Sequence, residues 1–234
     1  MATEERPWLS KLKDDIYRST TAAAVEFWPP RGEEPLPYFN FRLEHILQVE
    51  RDALRITKVE HGDEEVVLAA VWVHDRFQPQ FGGKQHAASG ARWALDHLAS
   101  LGFPAYKVPQ VSQAIALHSR HTMDIPSDCR EARILWDADH VARTGPVDLL
   151  HYVLCHSAED FLQGLPANNR FPSGSINIRD FLPMLMERRP QLYRMDWFYF
   201  DETRRMARDR MTASRMFLDS LEDQVLARTM PRVD

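Results

Sequence analysis

The sequence predicts an all-α fold, and three observations support this. Apolar residues recur at intervals of three and four along most of the 234 residues, which is the spacing of one helix face. Segments that alternate apolar and polar residues and are rich in valine, isoleucine and threonine are missing, although half-buried strands need them. Glycine is scarce, with only nine residues in the chain.

The predicted helices follow this spacing in chain order. The first covers residues 7–28 and ends where "WPPRGEEPLPYFN" brings four prolines, because proline cannot continue a helix. The segment "QPQFGG" is a loop that follows the third helix. "PANNRFPSGSINIRD", from residue 166, is a long loop before further helix. The other helices are predicted at 41–61, 63–75, 84–101, 109–121, 128–142, 147–165 and 201–226.

Composition excludes several classes of protein. Apolar residues make up 44% of the chain, charged residues 27%, and the net charge is −5, so we expect a packed core and no extended nucleic-acid surface. No segment reaches the ~20 apolar residues of a membrane span. The two cysteines form no C-x-x-C pair, which argues against a thiolate zinc site. The charged start "MATEERPWLSKLKDD" has no signal-peptide pattern, so we expect a cytoplasmic protein.

Four predicted helices each carry a histidine or an aspartate on the apolar face. Any one of these histidines, taken alone, is explained by a hydrogen bond in the core, and Asp75 alone by a helix cap. Together they indicate a metal site, because buried carboxylates need a cation and imidazole nitrogens and carboxylate oxygens suit divalent ions. The candidate ligands are His45, His74, Asp75, which directly follows His74, and Asp139.

The order of these residues resembles the HD-domain superfamily of metal-dependent phosphohydrolases. The matching segments are "RLEHILQVERDALRI", "EEVVLAAVWVHD", "QAIALHSRH" and "EARILWDADHVARTG"; the last is similar to a segment of small bacterial HD hydrolases. The resemblance implies an HD-domain helical bundle with additional C-terminal helices. It also implies a divalent metal, whether Mn, Co, Ni, Mg, Zn or Fe, on His45, His74, Asp75 and Asp139.

The resemblance extends to a possible second metal site. "KQHAASGARWAL" is similar to an "H…GA" segment of HD proteins with two metals, and His86 and His118 match their additional histidines. His86 follows His74 by only 12 residues, which is short for that group. We therefore expect one metal, with His86 and His118 contacting phosphate or transferring protons. In "DAD", Asp137 and Asp139 lie ~200° apart on a helix, and we assign the metal to Asp139. Asp137 either orients a ligand or is solvated.

The implied activity is hydrolysis of a phosphate ester or anhydride, with a nucleotide as the expected substrate. Asp75 and His86 are the candidate catalytic residues, for proton transfer. Arg42 lies on the inward stripe, so it needs a phosphate or a structural carboxylate such as Glu131 as partner. The alternatives are a di-iron oxygenase of the same fold and a non-catalytic regulatory HD module. The candidate phosphate-binding residues are Arg42, Lys84, Arg120 and Arg143.

The chain divides into three parts on this interpretation, without a clean linker between them. Residues 1–37 form an N-terminal helix and a proline-rich connector, 38–145 the HD metal-binding core, and 146–234 the C-terminal helices packed on that core. The last helix has an apolar face that covers its own core or pairs with another subunit, which makes a homo-oligomer possible. That face consists of Ala207, Met211, Ser214, Leu218, Leu221 and Val225.

Overall fold

The computed structural model describes residues 6–30, 33, 35–37, 39–78, 85–119, 123–151, 153–154 and 197–226, and no strand occurs among them. The predicted all-α class is therefore confirmed. Short 3₁₀ helices follow α4 and precede α5. Residues 146–151 and 153–154 are also helical. The helices are Pro7–Phe27 (α1), Phe41–Glu60 (α2), Glu64–Val73 (α3), His86–His97 (α4), Val108–His118 (α5), Arg130–Ala142 (α6) and the C-terminal helix, Asp201–Leu226.

The third helix ends at Val73 and not at the predicted residue 75. Beyond it the backbone tightens, because the amide of Arg76 donates to the carbonyl of Val73 and the amide of Gln78 to that of Asp75, each at 3.0 Å. These are i to i+3 bonds, as in a tight turn. His74 and Asp75 thus lie in a turn at the helix end.

Helix α3 is the centre of the first part of the chain. All eight residues from Val66 to Val73 are buried, as expected for a helix that is apolar all round. It packs against α1, α2, α5 and α6, while α4 packs mainly on α5. With ten residues, α3 is too short for a bilayer, and no helix in the described residues is long and apolar enough to cross one.

Two compact units divide the chain. The first comprises residues 1–142 and 198–203, so it includes α1 to α6 and a short segment that returns from far along the sequence. The second comprises residues 143–197 and 204–234. In it Met211 and Leu218 of the C-terminal helix bury against Leu149, with Val153 and Leu221 alongside. The predicted apolar face of the last helix thus covers apolar residues of its own chain.

The turn between α2 and α3 follows from local sequence. His61 ends α2 in the left-handed conformation, with φ of 54°. Gly62 follows, and a Cβ there would lie 2.5 Å from Cδ1 of Ile134 on α6. Asp63 caps α3 by accepting from the amides of Glu65 and Val66, which is the usual role of aspartate at this position. The turn therefore sets how closely α2 and α3 approach α6.

We predict that the Asp63 cap has a pH-dependent effect on stability. Burial raises the pKa of the Asp63 carboxyl, but Lys107 at 2.7 Å and the two backbone amides outweigh it, so the pKa lies below 3.8. Asp63→Ala should lower the free energy of unfolding by about 1 kcal/mol at pH 7. The loss should shrink as the pH falls below 3.8, because the wild-type carboxylate is then protonated as well.

Urea unfolding of both proteins at pH 7 and pH 3 measures this difference. Asp63→Asn is the matched control, since its side-chain oxygen still caps the helix and only the charge is lost. An Asp63→Ala loss that stays constant down to pH 3 would contradict the role of the charge.

Candidate metal centre

Five elements of the first unit bring ionisable side chains to one buried place. His45 lies on α2, His74 and Asp75 in the turn after α3, and Asp139 on α6. His86 begins α4, and His118 ends α5. All are buried except His86, whose side chain is 13% exposed. The four predicted primary ligands and the two additional histidines thus form one cluster, although their numbers differ by up to 94.

One group of ligand atoms lies around His45. Its Nε2 is 3.0 Å from Oδ1 of Asp139 and 3.6 Å from Oδ2 of Asp75. Ligand atoms of His45, His74 and Asp139 all lie within 4.8 Å of one another. This spacing leaves room for a single cation that two imidazole nitrogens and one carboxylate oxygen coordinate.

Asp75 lies between this group and a second one. Its Oδ2 is 3.5 Å from Nε2 of His74, whereas its Oδ1 is 3.5 Å from Nε2 of His86 and 3.7 Å from that of His118. The two Nε2 atoms of His86 and His118 are 3.2 Å apart. His74, Asp75 and His118 also satisfy the distances of a metal triad. Each carboxylate oxygen of Asp75 therefore faces a different pair of histidines.

Backbone carbonyls fix the tautomers of two histidines. Nδ1 of His74 lies 2.7 Å from the carbonyl oxygen of Val71, and Nδ1 of His118 lies 2.6 Å from that of Ile115. A carbonyl oxygen only accepts, so each Nδ1 carries a proton and donates it. In the neutral ring, Nε2 then points into the cluster with its lone pair, which is the form that binds a metal.

The protonation of these rings differs. Burial lowers the pKa of His74 to about 4, against the opposing charge of Asp75, so this ring is neutral at pH 7. Burial also lowers the pKa of His118, but the Asp75 carboxylate outweighs burial and the pKa lies above 6.5. For Asp75, burial raises the pKa, but Arg42 and the histidines hold it well below its ordinary value. Asp75 is therefore an anion in a buried site.

The residues fit a divalent cation. Nε2 of His45 and Nε2 of His74 are both buried and have no hydrogen bond to any described residue. Buried polar atoms without a partner are costly, and both atoms face the carboxylates of Asp75 and Asp139. A lone pair beside a carboxylate is repulsive unless a cation lies between them. The donor set of the cluster therefore fits a divalent cation.

Arg42 supplies positive charge at the edge of the cluster. Its Nη1 donates to Oδ2 of Asp75, and both side chains are buried. A structural carboxylate thus pairs with Arg42 as expected, but it is Asp75 and not the suggested Glu131, which accepts from the backbone amide of Asp63 at 3.0 Å. Phe41 stacks on the ring of His45, and the Arg42 guanidinium lies 5.1 Å from the centroid of the Phe41 ring. Arg42 therefore shares Asp75 with the metal centre.

The structure does not test the other three predicted phosphate-binding residues. Lys84 and Arg120 lie outside the described residues. Arg143 belongs to the second compact unit. Their contacts with a phosphate stay predictions.

The sequence did not single out Gln78 as a site residue, and it left the role of Asp137 open. Gln78 lies three residues after Asp75 in the same turn; with its amide nitrogen turned inward, it donates to Oδ1 at 2.6 Å and Oδ2 at 2.9 Å of Asp75. A turn has no helical periodicity, so helical spacing contains no signal for this residue. Asp137 is fully buried and not solvated: it accepts from the backbone amides of Tyr199 and Phe200.

Gly90 allows α4 to approach the ligand-bearing turn. A Cβ at this position would lie 3.1 Å from Cγ2 of Ile115 and 3.2 Å from the carbonyl oxygen of Val73. The backbone of Val73 cannot give way easily, since it ends α3 just before His74. The missing side chain thus keeps His86, one turn earlier on α4, within reach of Asp75.

Comparison with known proteins shows which family this part of the chain matches. The sequence profile of the HD domain family matches residues 42–144, the stretch that holds His45, His74, Asp75 and Asp139. The chain contains an HD domain. Helices α2, α4, α5 and α6 and the turn after α3 contain the members of the cluster. No curated protein sequence matches the chain.

Solved structures share the fold of the HD-domain chain. A predicted HD superfamily hydrolase from an uncultured Thermotogales bacterium is 20% identical, with a TM-score of 0.54 over 94% of this chain and 92% of its own. Bacillus subtilis YpgQ in complex with ADP is 17% identical, with a TM-score of 0.55 over 97% and 99%. A protein from Lactobacillus plantarum is 16% identical, with a TM-score of 0.58 over 97% and 100%. At these identities the likeness concerns the fold.

We predict that a divalent cation stabilises the HD domain through His74. With free Mn²⁺ at 100 times its dissociation constant, the free energy of unfolding should rise by about 2.7 kcal/mol. For a chain of this size the melting temperature then rises by roughly 5 to 10 °C. His74→Ala should abolish the rise, because it removes a buried ligand nitrogen.

Thermal unfolding with Mn²⁺ and with a chelator measures the effect. His97→Ala is the control, since His97 is an exposed histidine on α4 whose ring donates to the carbonyl of Trp93 and stacks on the Trp93 ring. An equal Mn²⁺ shift in wild type and His74→Ala would mean that the ion binds elsewhere.

Proposed function

We propose that the protein is a metal-dependent phosphohydrolase that acts on a phosphate ester or anhydride, with a nucleotide as substrate. The observation that carries the proposal is the buried cluster of His45, His74, Asp75 and Asp139, with Arg42 beside it. It combines the ligands of a divalent ion with a cation that suits a phosphate oxygen. The solved complex of the similar YpgQ fold with ADP makes nucleotides the first class to test.

Different residues of the cluster have different roles in the proposed hydrolysis. A divalent cation held by His45, His74, Asp75 and Asp139 would act as a Lewis acid and lower the pKa of water. Asp75, an anion because Arg42 and the histidines hold its pKa well below the ordinary value, orients the attacking water by accepting its hydrogen bond. As the water oxygen bonds to phosphorus and the bond from phosphorus to the leaving oxygen breaks, the water becomes acidic and its proton passes to Asp75.

His86 and His118 provide the proton for the leaving group. Their Nε2 atoms, 3.2 Å apart, share one proton in a hydrogen bond, since two bare lone pairs would repel. The raised pKa of His118 favours the presence of that proton. His86 is the more exposed of the two, so it is the one that passes the proton to the leaving oxygen. This assignment makes Asp75 the base and His86 the acid.

The same two histidines are also compatible with a second metal ion. His118 forms a triad with His74 and Asp75, but Nε2 of His74 can bind only one ion. A second ion would therefore rest on Oδ1 of Asp75 with His86 and His118. A two-iron centre would favour the oxygenase alternative. Metal analysis separates the cases: two irons per chain with a visible absorption band favour an oxygenase, and Mn²⁺- or Co²⁺-dependent phosphate release favours a hydrolase.

We expect release of inorganic phosphate from nucleotides in the presence of Mn²⁺ or Co²⁺. Asp75→Asn should lower kcat at least about 100-fold, because the amide cannot accept the proton and binds a cation poorly. Phosphate release over a panel of nucleotides and simple phosphoesters measures this, with His97→Ala as the control that keeps full activity. A metal-loaded wild type that is inert to the whole panel would favour a regulatory HD module.

We expect Arg42→Gln to raise KM by about 10- to 100-fold, the loss of one hydrogen bond to a charged group. The buried guanidinium binds a phosphate oxygen of the substrate as well as Asp75. Steady-state kinetics against Arg92→Gln, an exposed arginine paired with Asp96, measures the change. An unchanged KM with a lower melting temperature would show that Arg42 only neutralises Asp75.

A further inference from the structure

Asp137 anchors a segment from far along the chain to the helix that carries Asp139. Its side chain is fully buried. Oδ1 accepts from the backbone amide of Tyr199 at 2.9 Å and Oδ2 from that of Phe200 at 3.0 Å. Hydrogen bonds from neutral donors to a buried carboxylate are stronger than those between neutral groups. Both oxygens of Asp137 are therefore engaged by a segment more than 60 residues away.

The ring of Trp136 makes a second connection between the same parts. It contacts the ring of Tyr199 edge to face at 5.4 Å and stacks on His140 at 3.7 Å. His140 is the neighbour of Asp139, with its Nδ1 3.9 Å from Oδ2 of that carboxylate. A continuous path of contacts thus runs from Tyr199 through Trp136 and His140 to Asp139.

The returning segment, residues 198–203, is itself held by the first unit. The Tyr199 hydroxyl accepts from the backbone amide of Ile125 at 2.9 Å. The Arg133 guanidinium lies 4.7 Å from the Tyr199 ring centroid and donates to the carbonyl of Ile125. Glu202 pairs with Arg55 of α2 at 2.6 Å. The segment is thus a fixed support against which α6 packs.

We propose that Asp137 is a positioning residue that clamps α6 to residues 199–200 and so holds Asp139 in place for the metal. Asp137 and Asp139 lie ~200° apart around the helix, so a clamp on one face sets the direction of the opposite face. The metal centre then depends on a segment that lies outside residues 42–144, the stretch matched by the HD family. This inference rests on the metal centre proposed above and not on the substrate.

Mn²⁺ affinity of the full-length protein tests the inference. Asp137→Asn keeps the shape of the side chain, but its amide nitrogen faces one of the two backbone donors and the clamp weakens. We expect the dissociation constant for Mn²⁺, measured by titration calorimetry, to rise about 10-fold, the lower end of the effect of residues that support metal ligands. Trp136→Phe puts a smaller ring between Tyr199 and His140, and it should also raise the dissociation constant for Mn²⁺.

Lys13→Gln is the matched control, because it breaks an ion pair with Glu50 that joins α1 to α2 at 2.7 Å and involves neither α6 nor the returning segment. It should lower the melting temperature and leave the Mn²⁺ dissociation constant unchanged. Asp137→Asn and Trp136→Phe with wild-type affinity, whatever their melting temperatures, would overturn the positioning role. If Asp137→Asn does not fold, Trp136→Phe decides the question. A wild type that binds no Mn²⁺ would overturn the metal centre and this inference with it.

Discussion

The burial of the Asp75 carboxylate is the constraint on which the rest of the site depends. An anion that is 1% exposed must be compensated, because the cost of burying an isolated charge exceeds what a small domain can tolerate. Arg42 donates to one of its oxygens, and four histidine nitrogens surround both oxygens at 3.5 to 3.7 Å. Neutral rings compensate only in part, so the arrangement calls for a further cation.

Most of these groups lie at the end of a helix or directly after it. His74 and Asp75 follow the last residue of α3, His86 is the first residue of α4, and His118 is the last of α5. At a helix end a side chain is free of the packing that the next turn would impose, and nearby carbonyls can fix a ring, as those of Val71 and Ile115 do. The apolar length of α3 supplies the rigidity, since all of it is buried between Val66 and Val73.

The first compact unit is discontinuous in sequence. Residues 198–203 pack with residues 1–142 as one compact unit, and Asp137 is the residue that binds them most directly. A buried carboxylate between two backbone amides is well satisfied, whereas Asp75 is surrounded by histidines, Arg42 and the Gln78 amide. Asp137 and Asp139, two residues apart on α6, thus carry the same chemical group in different environments. Asp137 is structural, and Asp139 is a candidate metal ligand.

Helical spacing determined the fold class, most helix bounds and which His and Asp residues lie on inward faces, because burial leaves a periodic imprint on a sequence. The order of His45, His74, Asp75 and Asp139 was enough for the HD resemblance. Tertiary structure alone decided the partner of Arg42, the contacts of Gln78 in a turn and the clamp on Asp137. Each of these contacts depends on how the chain folds in space. No repeating pattern of residues in the sequence marks the two partners.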